Sequence, residues 1–318
     1  MNIMPLTITR FERDEGRQTK SIKRYFVMTV DVDGWSSLLS FYSIDHDPLE
    51  ADSQVSVEDG ILRLFQLFEM HEIKATFFIT GQIAEKHAWI VKKIHRDGHE
   101  IACHGLTHEK NECLLNKTNQ KQRIEDATRI IEEKIGSRPK GFRAPCLRAN
   151  ETTLKVLDES GYVYDSSVVP TFVPGYYGSL TAPLKPYHPS SESMEKEGSY
   201  KLLEIPVSVN PLIPFPFSAA WMRNLGSSWV KFGIKMNFAL GNPVMFYVHP
   251  RDVVSLPKVK GVPWHLYRNV GDPTIRMLDE MIRSAKRSGA RFLKAVDLAQ
   301  ISILNNCKAV KRFWRKLL

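Results

Sequence analysis

Residues 74–104 read KATFFITGQIAEKHAWIVKKIHRDGHEIACH. KATFFITG (74–81) is a short apolar and β-branched run that ends at a glycine, and HEIACH (99–104) is a second such run. Between them, 84–97 has the apolar spacing of an amphipathic helix and stops at Gly98, a residue type suited to the left-handed position after a helix. Strand, helix and strand in succession form the unit of a parallel sheet. The unit recurs outward in both directions. YFVMTVDVDGW (25–35) precedes it, and GFRAP (141–145), YVYDSS (162–167), LLEIPVS (202–208), PVMFYVHP (243–250) and ARFLKAVDL (290–298) follow. Such runs read as buried parallel strands, apolar on both faces. Helical patterns lie at 57–71 with Ser56 as cap, at 118–135, at 151–160 behind Asn150, and at 273–288. The last has Asp272 as cap and Pro273 in the first helical position. This alternation predicts an α/β fold with a parallel sheet, either doubly wound or closed as a barrel. Residues 168–222, rich in Pro, Ser, Gly and Tyr, break the pattern and are expected to cover one end of the sheet as long loops.

The 318 residues allow one large domain or two, and 43% hydrophobic with 25% charged residues is an ordinary globular composition. No shift in composition divides the chain. The net charge of +9 invites an anionic partner. Its distribution weakens that reading. The last eleven residues hold Lys308, Lys311, Arg312, Arg315 and Lys316 and no acid, and residues 1–24 hold six basic residues against three acids. The remaining body, 25–307, carries +1. A body so near neutral is a poor nucleic-acid binder, and no nucleic-acid partner is expected. Cys103, Cys113, Cys146 and Cys307 form no CxxC pair and read as thiols of a reducing compartment. No signal-like apolar run opens the sequence, and no run of about 18 apolar residues crosses a membrane. A cytoplasmic location is expected.

Four features carry chemistry, and each ends a strand run. His104-Gly-Leu-Thr-His108 places two imidazoles four residues apart, able to share a metal on one helical turn or tight loop. Such a pair also occurs on ordinary surface helices. Asp31-Val-Asp33-Gly34 puts two carboxylates on one face of an extended strand, where they repel unless a proton, metal or cation intervenes. Two histidines and a nearby carboxylate make the three-ligand set of a catalytic zinc site. Phe142-Arg143-Ala144-Pro145 offers a cation that can pair with one of the carboxylates, or else a surface Arg before a Pro turn. Tyr247-Val248-His249-Pro250 ends a very apolar strand in a polar residue suited to general acid work, or to a structural hydrogen bond. In parallel α/β folds, active sites assemble at that edge of the sheet.

Taken together the motifs resemble the polysaccharide deacetylase family, also called the NodB-homology or carbohydrate esterase 4 group. Thr29-Val-Asp31-Val-Asp33-Gly34 is similar to its first motif, His104-Gly-Leu-Thr-His108 to its second, Arg143-Ala-Pro145 to its third and Tyr247-Val-His249 to its last. The resemblance covers roughly residues 25–300. It implies a distorted (β/α)7 TIM-like barrel and metal-dependent N-deacylation of sugars. Carried over, Asp33, His104 and His108 would bind a divalent metal ion, Zn2+ by the character of the set. Asp31 would be the general base, tuned by Arg143, and His249 the general acid. A backbone N–H near Pro145 would help hold the oxyanion. The chain departs from the family in three places. One residue separates its aspartates, a form similar to a subgroup that includes peptidoglycan deacetylases and lipid-linked sugar deformylases. Gly105 stands where Ser or Thr is usual, which is expected to loosen the turn. The remaining motif is represented at most by Asp165.

The expected organisation is an N-terminal arm (1–24), a catalytic domain (25–300) and a basic amphipathic tail (301–318). The expected substrate is an N-acylated, typically N-acetyl, amino sugar in a glycan, lipid-linked or nucleotide-linked form. The tail LNNCKAVKRFWRKLL (304–318) mixes Phe313, Trp314, Leu317 and Leu318 with five basic residues, the composition of a helix that lies on an anionic membrane. Peripheral contact with the inner membrane face is one expectation, and a solvated basic helix the other. Two further functions remain open: an amidohydrolase acting on a small cyclic imide or ureide, and a non-catalytic carbohydrate-binding relative. The intact polar set argues against the second.

Overall fold

The computed structural model describes residues 23–45, 55–109, 111–174 and 177–305. Most of the expected arm and the basic part of the tail, 306–318, lie outside the described residues. The strands are β1 (Tyr25–Val32), β2 (Thr76–Ile79), β3 (Glu100–Cys103), β4 (Gly141–Phe142), β5 (Tyr164–Asp165), β6 (Phe172–Val173), β7 (Tyr177–Gly178), β8 (Leu203–Glu204), β9 (Val244–Val248) and β10 (Arg291–Leu293). All eight expected runs contain one, and β6–β7 is a separate antiparallel hairpin. Every pairing in the main sheet is parallel. β9 runs along one edge of β1. The opposite edge is shared by β10, over residues 25–27, and β2, over 29–32. From β2 the order continues β3, β4, β5, β8. Beyond β8 the Ser208 N–H donates to Met245 O at 3.1 Å, and the Met245 N–H to Ser208 Oγ at 2.8 Å. The sheet therefore curls back on β9, giving the expected distorted (β/α)7 barrel.

The helices are α1 (Trp35–Phe41), α2 (Gly60–Met70), α3 (Gly81–Lys86), α4 (Ala88–Arg96), α5 (Lys117–Ile135), α6 (Glu151–Glu159), α7 (Ala219–Leu225), α8 (Ser227–Ala239) and α9 (Asp272–Arg287). Side-chain caps explain the starts of α3, α5, α6 and α7. The Asn116 and Asn150 side chains accept from Asn119 N–H (2.9 Å) and Thr153 N–H (3.0 Å), and Gly136 ends α5 at φ 73°. Three details differ from the sequence reading. Ser56 is buried inside a π-helical turn, Val55–Asp59, that leads into α2. The helix expected over 84–97 is two, α3 and α4, parted at His87, whose Nδ1 is engaged by Glu58 at 2.8 Å. Asp272 is the first residue of α9 rather than its cap, which is Gly271, and its carboxylate pairs with Arg63.

Alternate strand residues serve two cores, as the twofold period of a strand requires. Phe26, Met28, Val30, Phe77, Ile79 and Phe246 face the helices. Val27, Phe78, Ala102, Tyr164, Ile205 and Met245 fill the barrel. Tyr164 crosses so near β4 that a Cβ on Gly141 would lie 1.9 Å from its ring, so only glycine fits there. Helical residues 295–305 close the base, with Ala295, Leu298 and Ala299 inside the barrel core and Ile303 against it. Buried Glu100 ties this plug down by accepting from Thr76 Oγ1 (2.7 Å), Tyr164 OH (2.9 Å) and Val296 N–H (3.0 Å). The described start of the expected tail, 301–305, is thus the end of a helix anchored in the barrel. Among the described residues no helix is long and apolar enough to cross a membrane.

Asp165 and Glu204 are register neighbours on β5 and β8 and are both fully buried. Ser167 Oγ donates to Asp165 Oδ1 at 2.7 Å, and Val168 N–H to Glu204 Oε1 at 3.0 Å. Asp165 Oδ2 and Glu204 Oε2 find no other donor, so a proton shared between the two carboxyls satisfies both. Burial first, then the neighbouring Asp165, pushes Glu204 well above the carboxylate range. The folded protein then holds a proton that the unfolded chain has released above the ordinary carboxylate pKa. Stability contributed by this pair falls as pH rises through that window, by up to about 1.4 kcal/mol per pH unit. Glu204→Gln keeps the shape and supplies a donor. Its melting temperature relative to the parent should rise between pH 5 and pH 8. A constant difference would mean the pair carries no proton.

Candidate active site

The inward register of β1 that carries Val27 and Thr29 continues through Asp31 and just past the strand end to Asp33. Both carboxylates therefore enter one cavity, as expected from their spacing. It has a volume of about 520 Å³, opens at the C-terminal ends of the strands and is also lined by His104, His108 and His249. β1, β3 and β9 thus deliver five of the six expected site residues to one place. The sixth, Arg143, lies beneath them.

Arg143 is completely buried, which removes the surface reading. Its Nη1 donates to Asp31 Oδ1 (2.6 Å) and Thr29 Oγ1 (2.9 Å). Its Nη2 meets Ser166 Oγ (2.9 Å) and Met245 Sδ (3.1 Å), and Nε meets Ser166 O (3.0 Å). The guanidinium also stacks 4.1 Å from the centre of the Phe78 ring. Arg143 thus fixes Asp31 in place and supplies its countercharge. The following turn is strained: Cys146 and Leu147, both at the cavity wall, have left-handed φ of 55° and 56°.

His104 and His108 lie in a loop, not on a helical turn. Their ring centres are 5.0 Å apart. The loop turns through Gly105 (φ 74°) and His108 (φ 59°). A Cβ on Gly105 would lie 2.8 Å from Glu112 Oε2 and from Pro145 Cγ. Glycine therefore permits a tight turn here, and the expectation of a loosened one is corrected. Arg123 of α5 pins the same loop, donating to Glu112 Oε1 (2.6 Å), Thr107 Oγ1 (2.5 Å) and Glu109 Oε1 (3.0 Å).

His104 Nδ1 lies 2.7 Å from Arg143 O. A carbonyl only accepts, so Nδ1 carries the proton and Nε2 the lone pair. His108 Nε2 stands 3.2 Å from Asp33 Oδ2, and its buried Nδ1 has no hydrogen-bond partner. Burial pushes both histidines down, His108 to about 3, against the pull of the nearby aspartates. Burial alone would raise the Asp33 carboxyl. Arg251, with His249, His108 and His104, outweighs this and holds it well below the usual range. One ionised carboxylate and two neutral imidazoles are the donor chemistry of a zinc-type site, and the residues fit such an ion. Among the described residues, no three His, Cys, Asp or Glu side chains already close around one point as metal ligands. The Arg251 guanidinium holds Asp33 instead.

His249 ends β9. Its Nδ1 lies 3.2 Å from Asp252 Oδ2, which also accepts its backbone N–H at 2.9 Å. This leaves Nε2 on the cavity side, 3.9 Å from Asp33 Oδ1. Asp252 is held in turn by Arg223 Nη2 at 2.8 Å. Sequence reasoning missed Arg251, Asp252 and Arg223. The His-x-x-Asp spacing of 249–252 is a signal that could have found Asp252. It also missed the outer wall, where Trp221 comes from the end of the expected loop region and Trp264 from a later turn. Asp165, offered as a further family position, is not at the cavity; it sits in the carboxyl pair with Glu204.

Residues 45–164 match the family model for polysaccharide deacetylase, and 166–287 match a domain of unknown function, DUF3473. The first match holds His104, His108 and Arg143, and the second holds His249. A peptidoglycan deacetylase of Helicobacter pylori is 23% identical over 278 residues, covering 78% of this chain and 94% of that protein. A peptidoglycan-N-acetylglucosamine deacetylase of Bacillus cereus is 32% identical over 101 residues, 32% of this chain and 36% of that protein. Among solved structures, a putative polysaccharide deacetylase from Mycobacterium smegmatis superposes with a TM-score of 0.65 at 21% identity, covering 91% and 94% of the two chains. An allantoinase shares the fold at a TM-score of 0.56 and 18% identity, covering 89% and 91%. With its motifs assembled at one barrel mouth, the chain contains a polysaccharide deacetylase domain, matched over residues 45–164.

Proposed function

We propose that this protein is a metal-dependent N-deacetylase of an amino sugar. The observation that carries the reading is the convergence of Asp31, Asp33, His104, His108 and His249 on one cavity. Asp33, His104 and His108 would hold a divalent ion, zinc by their mixed nitrogen and oxygen donors. Bound there, the ion supplies Lewis acidity for the acyl carbonyl and lowers the pKa of a coordinated water. Asp31 accepts the proton of the attacking water. Arg143 aims that carboxylate through its 2.6 Å hydrogen bond. His249 protonates the departing nitrogen through Nε2, a step amide cleavage needs because an amide anion leaves poorly. Asp252 holds the ring in the tautomer and orientation for that transfer.

The wall of the cavity supports a substrate with an apolar part. Leu38, Phe41, Leu147, Val173, Trp221 and Leu266 form much of its surface. An N-acetyl amino sugar in lipid-linked form fits the apolar part of this wall, which also carries Arg148 and His265. The tail composition agrees, since a basic aromatic segment brings an enzyme to the anionic inner face of a membrane. We place the working enzyme in the cytoplasm at that surface.

Four measurements test these points. Purified protein should bind about one Zn2+ per chain in metal analysis, and His104→Ala should lose it. Asp31→Asn should keep the metal and lower amine release by about 100-fold or more; retained turnover would assign the base elsewhere. The substrate screen should compare free, nucleotide-linked and lipid-linked N-acetyl sugars with a cyclic ureide. Turnover of the ureide alone would replace the sugar reading. Deleting 308–318 should weaken binding to anionic liposomes without changing turnover of a soluble substrate, and unchanged liposome binding would reject the membrane tail.

A further inference from the structure

Arg251 lies two residues beyond His249, in the 3₁₀ turn Pro250–Val253. No motif quoted above gives it a part. Its side chain is only 11% exposed, and its Nη1 donates to Asp33 Oδ1, with Asp33 O a weaker second acceptor at 3.5 Å. The Asp33 carboxylate is thus divided, with Oδ1 facing Arg251 and Oδ2 facing His108. We propose that Arg251 is the internal counter-ion of Asp33 and competes with a divalent cation for that carboxylate, so that it sets the metal affinity of the site. The proposal rests on the metal-dependent reading given above.

The physics runs as a competition for one buried charge. Asp33 is 2% exposed, and a buried carboxylate without a partner is costly. Arg251 meets that need. A cation taking Asp33 as ligand would meet it too, and would stand beside the guanidinium in a weakly screened setting where like charges repel strongly. The guanidinium must then yield. Its anchoring allows this. Arg143 directs its donors to β1, to Ser166 just after β5 and to β9, and Arg223 is tied to Leu266 O (3.0 Å) and Arg268 O (2.7 Å) besides Asp252. Among the described residues the hydrogen bonds of the Arg251 guanidinium all go to Asp33.

Removing Arg251 should therefore have two opposite effects. The metal-free protein becomes less stable, because Asp33 loses its partner, and the cation binds more tightly, because its competitor is gone. An arginine with a merely structural role would give the first effect alone. The test uses the full chain stripped with chelator and titrated with Zn2+ by calorimetry against a competing chelator. For Arg251→Gln the expected result is a Kd tightened about tenfold or more, a lower melting temperature without metal, and a larger rise on adding Zn2+. Arg251→Lys keeps the charge and should stay near the parent Kd. Arg251→Met, which keeps the packing of the stem, gives the same readout should the Gln variant fail to fold. A Kd unchanged or weaker in both neutral variants, with the parent binding Zn2+ through His104, overturns the Arg251 proposal alone. No Zn2+ binding by the parent overturns it together with the metal reading.

Discussion

The ion pair between Arg143 and Asp31 is the constraint around which the barrel is built. A guanidinium at zero exposure in a protein interior is costly unless every donor is met. Here five hydrogen bonds leave Arg143 for β1, β9 and the segment after β5, while the Phe78 ring of β2 covers one face. The strands must therefore arrive at one radius and one height. Their register follows from that meeting point as much as from backbone pairing, which is short at β4, β5 and β8. The same pair divides the interior. Below it lie the apolar side chains of Val27, Ala102, Ile205 and Leu298. Above it lie Asp33, His104, His108 and His249, ringed by an outer wall that includes Leu38, Leu147 and Trp221.

This division explains what the sequence could reveal. A strand alternates its side chains between two faces, so an inward Val27 and Thr29 already imply an inward Asp31 and Asp33. The same counting carries Phe78 to Thr80, Ala102 to His104, and Met245 through Tyr247 to His249. Strand runs ending in polar residues were therefore legible as both fold and site. The turns that follow them were not. The His104–His108 spacing suited a helical turn or a tight loop; the chain takes the loop, through left-handed Gly105 and His108, and spacing alone does not decide between the two. Arg251 and Asp252 sit where the chain reverses, and their partners, Asp33 and Arg223, are distant in sequence. Trp221 reaches the cavity from the start of α7, inside a stretch expected as loops, and Trp264 from a later turn. Pairing across loops depends on tertiary position, and one sequence carries little signal for it.

Charge at the mouth follows one rule. Asp31, Asp33 and Asp252 are each almost fully buried, and each has its own arginine: Arg143, Arg251 and Arg223. Asp165 and Glu204, one layer away, have no arginine and are held as a proton-sharing pair instead. Burial thus forces every carboxylate near the site either to find a cation or to keep a proton. Which of these it finds decides what it can do. A carboxylate locked by an arginine that is itself tied to the surrounding backbone and side chains stays fixed, as a base or an orienting acceptor must. A carboxylate that keeps its proton can only hold strands together. One whose arginine is weakly anchored can exchange partners, and Asp33 is the aspartate so placed beside two neutral imidazoles. The distribution of arginines around the barrel mouth therefore assigns different work to side chains that are chemically the same.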